Sequence, residues 1–111
     1  METKRFHGCI AINTSAGEFL TARRVCLLEA IDAHGSLNAA AKALPMSYRS
    51  AWVSLESMNR IARRPLIKTV MGGSRGGGTT LTSYGRGLVA MFRAAERECQ
   101  CVIGEFLPGV D

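Results

Sequence analysis

The spacing of apolar residues changes character several times along the chain, and each change marks an element. Residues 5–12 show no helical repeat, but Phe6, Ile10 and Ile12 fall on one side of an alternating pattern, as in a half-buried strand. The turn formers Asn13-Thr14-Ser15-Ala16-Gly17 follow and Glu18-Phe19-Leu20 returns, which predicts a hairpin over 5–20. From Thr21 the period becomes helical. Val25, Leu28 and Ile31 share a face, while Arg23, Arg24, Glu29 and Asp32 lie elsewhere, and Gly35 after His34 is a suitable terminator. Ser36 opens a second, very short helix over 37–43, in which Ala39, Ala40, Ala41 and Ala43 carry so little bulk that another helix can cross close against it. Pro45 excludes helical geometry at Leu44 and ends that helix. Ser47 caps a third helix over 48–63, whose inner stripe is Ala51, Leu55, Met58 and Ala62, widened by Ile61 and by Trp52, which is expected in the core.

A short alanine-rich helix, a tight turn and a longer amphipathic helix make a helix-turn-helix unit. Next come Leu66-Ile67-Lys68-Thr69-Val70-Met71, a β-branched strand, then the run Gly72-Gly73-Ser74-Arg75-Gly76-Gly77-Gly78, then Thr79-Thr80-Leu81 as the returning strand. Two strands joined by a glycine-rich tip after a helix-turn-helix form a wing, over 66–81. Thr82 or Ser83 caps a last helix, 84–106, with Leu88, Met91, Phe92, Ala95 and Cys99 as its apolar side. At about 35 Å it is longer than a small domain needs for its own core. These five residues are accordingly the candidate contacts of a homodimer. The pattern predicts a mainly α chain with small β content (α+β): a winged helix-turn-helix with an N-terminal β-hairpin, a glycine-rich β-wing and a long C-terminal dimerisation helix over 83–107.

Length and composition narrow the class. With 111 residues, 47% apolar and 21% charged, residues 1–111 suit one domain. No run of about 18 apolar residues suggests a membrane span. The basic start Met1-Glu2-Thr3-Lys4-Arg5 leads into Phe6-His7-Gly8-Cys9-Ile10 and not into a signal sequence, so a cytoplasmic protein is expected. Between residues 33 and 95 there are nine basic residues and one acidic, Glu56, a local net charge of +8 within a chain of +5. Charge concentrated in this way points to a polyanionic partner.

The residues offer little to other chemistries. Cys9 and Cys26 are isolated and Cys99 and Cys101 are two apart, unlike a zinc or redox motif, so buried, reduced thiols are expected and no metal site is assigned. His7 and Cys9 would share a strand face, without two further ligands at a recognisable spacing. The glycine run lacks the Gly-Lys-Ser/Thr ending of a phosphate loop, and a strand rather than a helix follows it. His7 and His34 have no nucleophile nearby in sequence, and carboxylates are sparse in the middle of the chain. The reading is therefore a non-enzyme without a cofactor. In a helix-turn-helix the first turn of the second helix enters the major groove, where Arg49 could bond both acceptors of a guanine and Tyr48 and Ser50 could contact phosphates or bases. The candidate contacts to double-stranded DNA are Ser36, Ser47, Tyr48, Arg49 and Ser50, with Lys68, Ser74, Arg75, Gly76 and Thr79 from the wing. An alternative is a dimeric winged-helix interaction module whose basic face binds an acidic partner protein; a third reading is a thiol- or metal-responsive regulator using the four cysteines.

Gly35-Ser36, Ala39-Ala40-Ala41, Met46-Ser47-Tyr48-Arg49-Ser50-Ala51-Trp52, Met58-Asn59 and Gly72-Gly73 through Gly76-Gly77-Gly78, with Leu81-Thr82-x-Tyr84-Gly85, form a recognisable pattern. It resembles the N-terminal DNA-binding domain of the ModE family of molybdate-responsive transcription regulators, itself similar to the winged helix-turn-helix of LysR-type regulators. The resemblance covers roughly residues 18–92. It implies a dimeric, sequence-specific DNA-binding regulator with its reading helix at 47–50, a wing at 74–79 and a long helix for dimerisation. Two departures stand out. Pro45 occupies a place where the family usually has Gly, so the turn is expected to be made without a left-handed residue. Ser74 directly follows the first glycine pair, where the family usually carries a basic residue, and Arg75 comes one position later. Family members continue into molybdate-binding repeats whereas this sequence stops at Asp111, so no molybdate binding is expected of this chain.

Overall fold

The computed structural model describes residues 6–70 and 78–107. Strands β1 (Ala11–Thr14) and β2 (Gly17–Thr21) pair antiparallel, with Ala11 opposite Thr21 and Thr14 opposite Gly17. The hairpin is therefore shifted relative to the sequence expectation. Asn13, Thr14 and Gly17 belong to the strands, and only Ser15 and Ala16 form the turn. The Thr14 hydroxyl accepts from the Ala16 N–H at 3.0 Å and donates to the Gly17 carbonyl at 3.2 Å, while Gly17 supplies a φ of +124°. Residues 6–10 are not strand.

Helix α1 (Ala22–His34) starts at Thr21, whose Oγ1 accepts from the Arg24 N–H, and stops at Gly35, which takes the left-handed conformation at φ 79°. Helix α2 (Leu37–Ala43) is capped by Ser36, and α3 (Tyr48–Ile61) by Ser47. The third helix ends before the expected residue 63, with Ala62 extended at ψ 145°. Beyond it the chain bends back to bury Leu66, whose N–H donates to Asn59 Oδ1. Strands β3 (Ile67–Val70) and β4 (Gly78–Leu81) pair antiparallel, Ile67 opposite Leu81 and Val70 opposite Gly78. Helix α4 (Ser83–Phe106) begins at Thr82, which accepts from the Gly85 N–H and donates its own hydroxyl to the Pro65 carbonyl at 2.7 Å.

Helix α1 is the hub, packed against α2, α3, β4 and α4. Leu20, Val25, Leu27, Leu28, Ile31, Met58, Leu66, Leu81 and Phe92 are fully buried around it. Ala40, Ala41 and Ala51 are equally inaccessible, so α2 and α3 cross closely because these side chains end at Cβ. Gly85 lies so close to the Leu66 carbonyl that an added Cβ would overlap the oxygen, which fixes the start of α4 against the root of the wing.

The molecule is elongated, 53 × 36 × 23 Å, with a radius of gyration of 16.4 Å; a compact chain of this length would have about 13 Å. The reason is α4, whose 24 residues span about 36 Å and whose last fully buried residue is Phe92. Residues 6–10 run beside its C-terminal half. There the Gly8 N–H donates to Gln100 Oε1 and Gln100 Nε2 donates to the Phe6 carbonyl, each at 3.1 Å, and a Cβ at Gly8 would run into the Cys99 and Ile103 side chains.

Candidate nucleic-acid interface

The turn between α2 and α3 closes as a Schellman motif. The Met46 N–H donates to the Ala41 carbonyl at 3.0 Å and the Leu44 N–H to the Ala40 carbonyl at 3.1 Å. The residue between them, Pro45, has a φ of 21°, the left-handed side that glycine occupies readily. The expectation of a turn without a left-handed residue is thus corrected. The Met46 bond spans Pro45 and closes the turn, and proline, lacking an N–H, leaves the motif's inner bond unmade.

Ser47 and Ser50 are exposed, but their hydroxyls serve the helix first. Ser47 Oγ accepts from the Ser50 N–H and donates to Ser50 Oγ, both at 3.0 Å. Ser36 does the same for α2, accepting from the Ala39 N–H at 3.0 Å. Tyr48 is 53% exposed, Trp52 49% and Val53 50%, and Tyr48, Arg49 and Trp52 line a shallow recess of about 240 Å³. The assignment of Trp52 to the core is corrected. Ala51, Leu55 and Met58 already close the inward stripe, and one residue on a helix turns about 100° away from it. The signal was available in the sequence, because Glu56 follows Trp52 at the i+4 position on the same face. Glu56, 3.9 Å from Arg60, ends the face on its C-terminal side.

The wing root is held by α1. The Thr79 N–H donates to the Gly35 carbonyl at 2.7 Å, and Gly78 lies against the same oxygen. Asp32 completes the clamp. Its Oδ1 accepts from Thr80 Oγ1 at 2.6 Å, from the Leu81 N–H at 3.1 Å and from Arg86 at 3.1 Å. The Thr80 hydroxyl, the Arg86 guanidinium and the Leu81 amide together hold its carboxyl at about 2, well below the ordinary 3.8. Lys68 is exposed on β3, whereas Thr79 is half-buried with its backbone engaged. Ser74, Arg75 and Gly76 lie outside the described residues.

The charge pattern needs a matching correction. Arg86 is tied to Asp32, and Arg93 makes a two-pronged pair with Glu29 at 2.6 and 3.1 Å and another with Glu96 at 2.7 Å. These partners raise the Arg93 pKa further above its already high value. Both arginines join α1 to α4, so they belong to the framework and not to an outward basic face. Lys42, Arg49, Arg63, Arg64 and Lys68 stay exposed.

On α4, Leu88, Ala95 and Cys99 are half-buried and Met91 is 43% exposed. Phe92 is corrected as a dimer contact, since it lies wholly inside the chain's own core. Further along, Val102, Phe106 and Leu107 are exposed and were not anticipated. The four cysteines are free, but Cys9 and Cys101 are exposed, not buried. Among the described residues no group of three or more metal-binding side chains occurs, and no helix is long and apolar enough to cross a membrane.

Comparison with known proteins agrees with this geometry. No protein-family model matches the chain. The molybdenum transport protein ModE of Azotobacter vinelandii is 47% identical over 103 residues, 93% of this chain and 38% of that protein. The transcriptional regulator ModE of Haemophilus influenzae is 43% identical over 79% of this chain and 34% of its own length. The DNA-binding transcriptional dual regulator ModE of Escherichia coli K12 is 38% identical over 67% of the chain and 28% of its own length. The chain thus spans about a third of the length of these relatives. Among solved structures, a point mutant of MepR from S. aureus superposes with a TM-score of 0.61 at 24% identity, over 79% of this chain and 66% of that one, a likeness of fold. The helix-turn-helix, the wing strands and the sequence match together make the chain a ModE-type winged helix-turn-helix domain.

Proposed function

We propose that this chain is a sequence-specific, double-stranded-DNA-binding domain of a ModE-like transcriptional regulator. The observation that carries the reading is the first turn and a half of α3, where Tyr48, Arg49 and Trp52 stand exposed on the second helix of a helix-turn-helix. Arg49 reads a guanine through both major-groove acceptors, and Lys68 with Arg75 of the wing engages phosphates. Ser36, Ser47 and Ser50 shape the starts of α2 and α3 and contact phosphate oxygens there.

The active species is a homodimer formed along α4, on the strip that includes Met91, Val102 and Phe106. A two-fold axis there would place two reading helices on successive turns of one face of DNA. The protein acts in the cytoplasm and catalyses no reaction. We expect no molybdate binding by residues 1–111, so a calorimetric titration of this chain with molybdate should be flat. Selection from a random duplex library tests the main reading. A palindromic consensus is expected, and Arg49→Ala should weaken binding to it by about 1–3 kcal/mol while affecting random DNA much less. Equal losses on both duplexes would reduce Arg49 to a phosphate contact, and failure to enrich any sequence would overturn the function.

A further inference from the structure

The reading helix presents apolar surface that its own fold does not use. Trp52 and Tyr48 stand one helical turn apart with about half of each side chain in water, and Val53 beside them is equally open. Large aromatic side chains contribute much to a core when buried, and this chain has just one Trp. Ala51, Leu55 and Met58 fill the inward stripe of the same helix, so Trp52 adds nothing to that core. Its recess of about 240 Å³ is shared with Arg49, a cation at the patch itself. Glu56, one turn further, would repel a polyanion and so limits the contact zone to the first turns of α3.

We infer that Trp52, supported by Tyr48, reads a thymine through its 5-methyl group in the major groove, next to the guanine read by Arg49. This inference rests on the DNA-binding function proposed above. The major groove offers an apolar group at one base only, the thymine methyl, and an apolar side chain beside an arginine suits a thymine neighbouring a guanine. Arg49 and Trp52 are three residues apart, about 4.5 Å along the helix axis, close to the roughly 3.4 Å step between stacked bases. The two side chains therefore reach the same or adjacent base pairs. The positive side of the patch faces the negatively charged duplex, and the apolar side covers the methyl group.

Replacing thymine by deoxyuridine removes that methyl and leaves every hydrogen-bonding group in place. Each thymine of the selected duplex is exchanged singly, and binding to the wild-type chain, Trp52→Ala and Trp52→Leu is followed by fluorescence anisotropy. At one thymine within two base pairs of the guanine coupled to Arg49, the exchange should weaken wild-type binding about three- to fivefold, the scale of one buried methyl group. It should leave Trp52→Ala unaffected, while Trp52→Leu, which keeps an apolar contact, retains part of the sensitivity. The same penalty in wild type and Trp52→Ala at every thymine would overturn the inference while leaving the DNA-binding function intact. A consensus without thymine near that guanine, or Trp52→Ala binding as tightly as wild type, would do the same and assign the patch to a protein partner. Absence of any preferred sequence would fail the proposed function itself, and this inference with it.

Discussion

Asp32 lends itself to a quantitative test, because one carboxylate gathers the end of α1, strand β4 and the first turns of α4. Its Oδ1 accepts from Thr80, Leu81 and Arg86, with the shortest contact at 2.6 Å. Holding the carboxyl at about 2 instead of 3.8 corresponds to roughly 2.4 kcal/mol at neutral pH. The side chain is 31% exposed, so solvent screening reduces this to about 1–2 kcal/mol. A carboxyl whose folded value is depressed stabilises the fold above its unfolded value. That contribution is complete above about pH 5 and disappears as pH falls through 3.8 toward 2.

Asp32→Asn keeps an acceptor for Thr80 and Leu81 but removes the charge that strengthens these bonds and pairs with Arg86. Urea denaturation of both proteins from pH 7 to pH 2 should show the variant less stable by about 1–2 kcal/mol at neutral pH. The difference should shrink steadily below pH 4, and exchange of the Leu81 amide should accelerate in the variant. Equal stability of the two proteins at pH 7, or a difference independent of pH, would refute the view that the ionised carboxylate clamps the wing root.

Pro45→Gly should stabilise the chain. Relief of a left-handed proline is worth about 1–3 kcal/mol and a regained N–H bond to the Lys42 carbonyl about 0.5–1.5 kcal/mol, against about 0.4–1 kcal/mol of added freedom in the unfolded chain. A lower urea midpoint would contradict the strained-turn argument. Gly85→Ala should destabilise by roughly 1–3 kcal/mol, because its Cβ would overlap the Leu66 carbonyl oxygen and push α4 off the wing root; an unchanged melting temperature would show that contact to be slack. Phe106→Glu, at a position 76% exposed, should convert a dimer to a monomer in light scattering with the circular dichroism spectrum preserved; an unaltered mass would place the interface elsewhere.

Much of this architecture is written in short-range chemistry. Thr21, Ser36 and Ser47 each cap the helix expected of them, and Thr82, one of two residues expected there, caps α4, since a hydroxyl one residue ahead of a helix satisfies one of its first free N–H groups. Gly35 stops α1 for an equally local reason, and the alanines of α2 foretell a close crossing because their size is a property of the residue alone. The exposed first turn of α3, with Tyr48 and Arg49, follows from the same cap and period.

What the tertiary structure decided concerns direction and partnership. Phe92, expected at a dimer seam, is wholly buried in the chain's own core, because the helix face that carries it meets the rest of the fold; Trp52, whose outward face Glu56 already marks in the sequence, stands half exposed. Arg86 and Arg93 read as part of a basic field until the fold brought Asp32 and Glu29, more than fifty residues away in sequence, into contact with them. Pro45 stands at a positive φ in a turn closed by the bond from Met46 back to α2, a geometry its residue type does not announce. Caps, periods and side-chain size act over a few residues, so a sequence displays them directly. Burial and charge pairing depend on which distant residue arrives opposite, and only the folded chain determines that.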